Sequence, residues 1–264
     1  MKIGFIGMGN MAKAMLGGIL KNGLYRKEDI IGSALSEDTV RKMADTYGIE
    51  TTRDNKKVAK EADIVVLAIK PQFFKSVIAE IRDVVSDEKL LISIAAGKSN
   101  EWIGKEFGKE LRIVRCMPNT PALVSEGCTC VCPNIHSTEE DTKVVMQIMQ
   151  SFGTASIIPE RLIDAFSAVA GCSPAYVFMF IEAMADGAVA AGMPRKQAYE
   201  FAAQAVLGSA KMVMETGKHP GELKDMVCSP GGTTIQAVKV FEENGMRGIV
   251  MDAMEATINK AKML

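Results

Sequence analysis

Two stretches of this chain carry residue types at spacings that could do chemistry. The first is Gly7-Met8-Gly9-Asn10-Met11-Ala12, which follows an apolar run at residues 2–6 and leads into a helix-period segment. Two glycines one residue apart, with a small residue three places on, form the dinucleotide fingerprint, Ala12 taking its third glycine position. Gly7 would make the tight turn, Gly9 would let the backbone approach a pyrophosphate, and Ala12 would let the helix pack close to the strand. The helix N-terminus behind them offers unpaired N–H groups and a positive dipole end. The second stretch is Cys228-Ser229-Pro230-Gly231-Gly232-Thr233-Thr234, a turn into a helix over 235–244. It reads equally as an anion site with hydroxyls at a helix N-terminus, or as a helix–helix turn with Thr233 as its N-cap.

The tip of the second strand, Gly32-Ser33-Ala34-Leu35-Ser36, bears on the choice of cofactor. It lacks the acidic residue that would accept from the ribose hydroxyls of NAD. Ser33 and Ser36, with Arg41 one turn into the next helix, suit a 2′-phosphate, and Glu37 and Asp38 are expected to cap that helix. NADPH is therefore favoured, with NADH left open. Ala68-Ile69-Lys70-Pro71 and Ser93-Ile94-Ala95-Ala96-Gly97 end two further strands at the same crevice, where small residues let a ribose and nicotinamide lie against backbone. Lys70 would neutralise a phosphate or substrate carboxylate, or is a solvated surface lysine. Arg115-Cys116-Met117-Pro118-Asn119-Thr120-Pro121 is a stiff polar loop suited to substrate positioning.

These residues need a scaffold that aligns strand ends. Apolar runs at 2–6, 30–34, 64–69, 90–94, 113–115, 124–131 and 155–158 alternate, in the first half, with helix-period segments at 11–20, 38–47 and 73–84. Alternating strands and helices predict an α/β fold, a Rossmann-type doubly wound parallel sheet. After Pro159 the β-branched runs vanish, and helices are predicted at 160–169, 173–191, 195–216, 221–226, 233–244 and 246–263. The expected organisation is an NAD(P)-binding domain at 1–157 and an all-helical substrate and dimerisation domain at 158–264. The helix over 173–191 is apolar nearly all round and rich in Ala and Gly, which points to a dimer interface rather than a helix buried in its own small domain.

With 31 basic against 32 acidic residues and no charge run, nothing suggests nucleic acid or a membrane surface, so a small-molecule substrate is expected. The start does not read as a signal peptide, and Glu182 and Asp186 interrupt the one long apolar tract. Six cysteines at non-framework spacing are expected to be reduced thiols in a cytoplasmic protein. Cys128, Cys130 and Cys132 are expected on a strand, with Cys128 and Cys132 on one face and Cys130 on the other. No metal site is expected.

Gly4-Phe5-Ile6-Gly7-Met8-Gly9-Asn10-Met11-Ala12, Ala68-Ile69-Lys70-Pro71, the Arg115 to Pro121 loop, Ser173-Pro174-Ala175-Tyr176 and Ser229-Pro230-Gly231-Gly232-Thr233-Thr234, in this order, resemble pyrroline-5-carboxylate reductases from end to end. The resemblance implies NAD(P)H-dependent reduction of a cyclic imino acid, pyrroline-5-carboxylate, to L-proline. It implies a homodimer, open to further assembly, with active sites shared between subunits. By motif position it carries cofactor contacts to Ile6, Gly7, Met8, Gly9, Asn10, Met11, Ser33, Asn55, Ala68, Ile69, Lys70, Pro71, Ala95, Ala96 and Gly97. Substrate contacts fall on Glu160, Gly232, Thr233 and Thr234, with Thr234 as the candidate catalytic hydrogen-bonding group. Met226 departs from members that carry a side-chain amide there. The rival readings are a β-hydroxyacid dehydrogenase-like NAD(P) enzyme, whose helix lysine is missing from Gly171-Cys172-Ser173-Pro174, and a non-catalytic NADP-binding sensor.

Overall fold

The computed structural model describes residues 1–262. One compact unit comprises residues 1–172 with 258–262, and a second comprises 173–257. The first unit runs β1 (Ile3–Ile6), α1 (Asn10–Lys21), β2 (Ile30–Ser33), α2 (Glu37–Tyr47), β3 (Glu50–Thr52), α3 (Asn55–Glu61), β4 (Ile64–Leu67), α4 (Phe74–Ile81), β5 (Leu90–Ser93), α5 (Asn100–Phe107), β6 (Arg112–Met117), β7 (Gly127–Pro133), α6 (Glu139–Gln150) and β8 (Gly153–Ile157). One eight-stranded sheet results, in the order β3-β2-β1-β4-β5-β6-β7-β8. Strands β1, β2, β4 and β5 are buried throughout, because helices cover both faces. Phe5, Met15, Leu16, Ile19 and Phe152 fill one side of the sheet, and Ile6, Val65, Phe74, Ile78 and Phe107 the other. Ile6 stands opposite both Ser33 and Leu67, so the carboxyl ends of β2, β1 and β4 finish level and open one crevice.

Four expectations are corrected. Strand β7 runs antiparallel to β6, since the connection at 118–126 holds only a 3-10 turn, Thr120–Val124, and is too short for a crossover helix. That turn also moves the strand expected at 124–131 to Gly127–Pro133. The N-cap of α2 is Ser36, whose hydroxyl accepts from the Thr39 N–H, and Glu37 and Asp38 sit in the first turn instead. Cys130 and Cys132 do not lie on opposite faces: strand residues two apart share a face, and both pack against Ile163. A hydrogen bond to Cys132, then burial, pushes the Cys130 thiol up, and burial does the same to Cys116. All six cysteines are free thiols. Strand β3 and helices α3, α5 and α6 stand where no element was predicted. For α6 the signal was present as a capping box, Thr138 with Asp141.

In place of one helix over 160–169 there is a 3-10 turn (Glu160–Leu162), a short α7 (Ile163–Phe166) and a π-helical turn (Ser167–Cys172). The second unit is built from α8 (Ser173–Ala190), α9 (Arg195–Thr216), α10 (Pro220–Met226), α11 (Thr233–Glu243) and most of α12 (Met246–Ala261). Met263, the last residue of the helix expected over 246–263, lies outside the described residues. The core of this unit is small: Ala185, Ala198 and Ala202 form its buried centre, Tyr176 and Thr257 share a hydroxyl hydrogen bond at 2.8 Å, and the rings of Phe180 and Phe241 meet at 6.5 Å. Large apolar side chains therefore stay exposed, among them Met179 at 68% and Met214 at 73%. An apolar surface of that extent is the mark of an interface. The helical stretch Glu160–Ala190 is also long and apolar enough, by length and composition, to cross a bilayer.

Candidate active site

A cavity of about 600 Å³ opens at the carboxyl ends of β1, β2 and β4. Its floor is the turn from β1 into α1. Gly7 has φ +95°, a value that L side chains rarely adopt, and a Cβ there would stand 2.5 Å from the Ala68 carbonyl oxygen. That turn is thus pressed onto the end of β4. Gly9 differs, because a Cβ there would meet nothing within 4 Å and would project into free space. Gly9 is the N-cap of α1 and no side chain caps that helix, so the first-turn N–H groups are left to a ligand. A bare backbone cradle, open space before it and an uncapped helix N-terminus fit the pyrophosphate of a dinucleotide.

One wall is a fixed polar chain. The Ser33 hydroxyl donates to Asn55 Oδ1 at 2.7 Å, and Asn55 Nδ2 donates to Glu80 Oε2 at 2.9 Å. Asn55 is the first residue of α3, which Asp54 caps by accepting from the N–H groups of Lys56 and Lys57. The Glu80 carboxylate, which can only accept, sets which way the Asn55 amide points. Ala68, Ile69 and Lys70 form the opposite wall, and Pro71 starts the short turn beyond it.

Of the expected cofactor residues, Gly7, Met8, Gly9, Ser33, Asn55, Ala68, Ile69 and Lys70 share this cavity. Ile6, Asn10, Met11 and Pro71 adjoin it in the chain without lining it. Ala95 is buried in the sheet core, and Gly97 lines a different hollow beside Ser99, Trp102 and Arg115. Arg41 is not on the wall. Arg53 and Glu80 are, and sequence reasoning missed both: Arg53 follows a strand that went unrecognised, and Glu80 sits on the solvent side of an amphipathic helix. A larger cavity, about 770 Å³, lies between α5 and the turn after β7. It has no glycine cradle.

Glu160 is committed within the first unit. Its Oε1 accepts from Arg115 Nη1 at 3.0 Å and from the Asn100 backbone N–H at 2.9 Å, so it both pairs a buried guanidinium and satisfies the start of α5. Arg115 Nε is buried without a partner. In the second unit, Gly231 at φ +69° turns the chain and the Gly232 N–H closes the turn on the Ser229 carbonyl at 3.0 Å. Gly232 is the N-cap of α11, so the reading of this turn that made Thr233 the N-cap is corrected by one residue. Thr233 and Thr234 are the first two helical residues, and with no side chain capping α11 their N–H groups are offered outward. That arrangement can hold a carboxylate. Among the described residues no group of three or more His, Cys, Asp or Glu side chains is placed to hold a metal ion.

The glycine cradle at a sheet switch point defines a Rossmann-type dinucleotide-binding domain, and residues 2–97 match the family model described as NADP oxidoreductase, coenzyme F420-dependent, which makes the class an NAD(P)-dependent oxidoreductase. Residues 160–264 match the model described as pyrroline-5-carboxylate reductase dimerisation. The pyrroline-5-carboxylate reductase of Escherichia coli K12 is 51% identical over 263 residues, covering 100% of this chain and 98% of that protein. Among solved structures, a pyrroline-5-carboxylate reductase from Coxiella burnetii superposes with a TM-score of 0.93 at 38% identity, over 99% of this chain and 97% of that one. The Plasmodium falciparum pyrroline carboxylate reductase with NADP bound gives 0.90 at 35%, with the same coverages. The chain belongs to the pyrroline-5-carboxylate reductase family. Membership of the pyrroline-5-carboxylate reductase family, over the whole chain, sets aside both the hydroxyacid dehydrogenase and the sensor readings.

Proposed function

We propose that this protein reduces 1-pyrroline-5-carboxylate to L-proline with NADPH, the last step of proline biosynthesis, and that it works in the cytoplasm as a homodimer open to further assembly. NADPH supplies a hydride, which adds to the imine carbon while the C=N electron pair moves to nitrogen and is protonated there. The cavity between β1, β2 and β4 supports the cofactor half of this reading, and the open space before Gly9 is the observation that carries it.

Residues 1–157 serve as the cofactor domain, with Ile6 to Met11, Ser33, Asn55, Ala68 to Pro71 and Ala95 to Gly97 as its contacts. Residues 158–264 serve as the substrate and dimerisation domain. Gly232 caps the helix, the N–H groups of Thr233 and Thr234 hold the carboxylate, and the Thr234 hydroxyl hydrogen-bonds the ring nitrogen. Glu160, the more exposed member of its pair with Arg115, is a substrate contact. The exposed apolar surfaces of α8, α9 and α12 meet their equivalents in a second copy. The test is NADPH oxidation with pyrroline-5-carboxylate, run beside NADP reduction with a 3-hydroxy acid. Turnover of the imine alone supports the reading, and no turnover of it contradicts the reading. A Thr234→Ala variant with full catalytic efficiency removes Thr234 from the chemistry.

A further inference from the structure

Ser33, Ser36, Thr39 and Arg53 line the β2 side of the cofactor cavity, and the hydroxyl protons of both serines are already engaged. A hydroxyl has one proton to give. That of Ser33 goes to Asn55 Oδ1 at 2.7 Å, and that of Ser36 goes to Thr39 Oγ1 at 2.9 Å while its oxygen caps α2. The serines that the sequence offers for a phosphate therefore give their protons to groups of the protein itself. The fourth side chain is Arg53, the first residue after β3. Its Nε donates to the Leu35 carbonyl at 3.1 Å, which lays the guanidinium across the end of β2 on the cavity wall. The register that sets Ser33 beside Thr52 brings it there. One nitrogen anchors the group, and its two terminal NH₂ groups form a planar fork suited to phosphate. The other charged groups on the cavity wall are Lys70, at the far side beyond β4, and Glu80, whose Oε2 is held by Asn55.

Resting on the reading of this cavity as the dinucleotide site, we propose that Arg53 is the residue that selects the 2′-phosphorylated cofactor. The guanidinium fork binds the 2′-phosphate of the adenosine ribose, and Arg41, which does not reach the cavity, has no part in the choice. NADH lacks the phosphate and leaves the fork unused. The preference for NADPH over NADH thus resides in one side chain outside the glycine fingerprint.

Dissociation constants measured by titration calorimetry on the purified protein test this, using NADPH, NADH, 2′,5′-ADP and 5′-AMP with the wild type, Arg53→Gln and Arg53→Lys. Loss of a hydrogen-bonded charge pair predicts that Arg53→Gln weakens NADPH and 2′,5′-ADP about ten- to a hundredfold. NADH and 5′-AMP should bind as before, and Arg53→Lys should restore part of the loss, as a charge without a fork. Equal weakening of all four ligands by Arg53→Gln means that Arg53 only braces the Leu35 carbonyl, and an unchanged NADPH constant means that it binds nothing; either result overturns the assignment. A wild type that binds neither NADPH nor NADH overturns the cofactor reading itself, and the selection with it.

Discussion

Gly7 and Gly9 lie two residues apart in one turn, and a methyl group added to each has a different expected consequence. At Gly7 the backbone is at φ +95°, and the new Cβ would stand 2.5 Å from the Ala68 carbonyl oxygen, 2.8 Å from its carbon and 2.7 Å from Ile69 Cγ2. Left-handed backbone costs an L-residue about 1–2 kcal/mol, and forced overlap in a packed site about 1–3 kcal/mol. Gly7→Ala should therefore lose about 2–5 kcal/mol, which lowers Tm by roughly 5–20 °C in a protein of this size. At Gly9 the backbone is extended and the space is open, so Gly9→Ala costs only about 1 kcal/mol, the difference between Gly and the poorer N-cap Ala. Its methyl instead occupies the ground where a pyrophosphate would approach, and NADPH affinity should fall roughly five- to a hundredfold. Thermal unfolding without cofactor and calorimetric titration with NADPH separate the two effects. A Gly9→Ala protein that binds NADPH like the wild type would refute the assignment of the cradle.

Removing the partner of a buried guanidinium is the second perturbation: Glu160→Ala should destabilise the first unit by about 1–3 kcal/mol, since Arg115 is only 5% exposed and would be left unpaired, and urea unfolding of Glu160→Ala beside Glu160→Gln measures it. Ser36→Ala should cost about 1 kcal/mol through the lost cap of α2 while leaving the NADPH dissociation constant unchanged, which denaturation and titration check together. Hydrogen bonds from Lys57 and then Lys2 hold the Glu50 carboxyl below its usual value of 4.5. A depressed folded value stabilises the protein at pH above the unfolded value and is lost as pH falls through the folded one, so the deficit of Glu50→Gln at neutral pH should shrink at pH about 3.5. Urea midpoints at the two pH values decide it, and an equal deficit at both excludes the ion cluster as the cause.

The parts of the site that were legible in the sequence are those written in consecutive residues. Gly7 to Ala12 declares itself because the turn, the approach to phosphate and the helix start are local requirements met within six positions. The Gly231-Gly232 turn before Thr233 declares itself for the same reason, although the cap fell on Gly232 and not on Thr233. Arg53 was not legible: it enters the cavity only because β3 pairs with β2, and β3 is three half-exposed polar residues with no hydrophobic signature. Glu160 was expected at the substrate, but its partners Arg115 and Asn100 are 45 and 60 residues away in the chain, and no local pattern announces such a pairing. The antiparallel β7 follows from the length of one connection, which the alternation of strands and helices conceals. The thiols of Cys130 and Cys132 share a face by the simple two-residue period of a strand.

The proposed reaction passes a hydride from NADPH to the imine carbon of pyrroline-5-carboxylate. The direct measurement uses NADPH carrying deuterium at both nicotinamide C4 positions, with the proline product analysed by mass spectrometry and NMR. L-proline should carry one deuterium on the ring carbon that had been the imine carbon. Proline without deuterium at that carbon, or oxidised cofactor without proline, would contradict it.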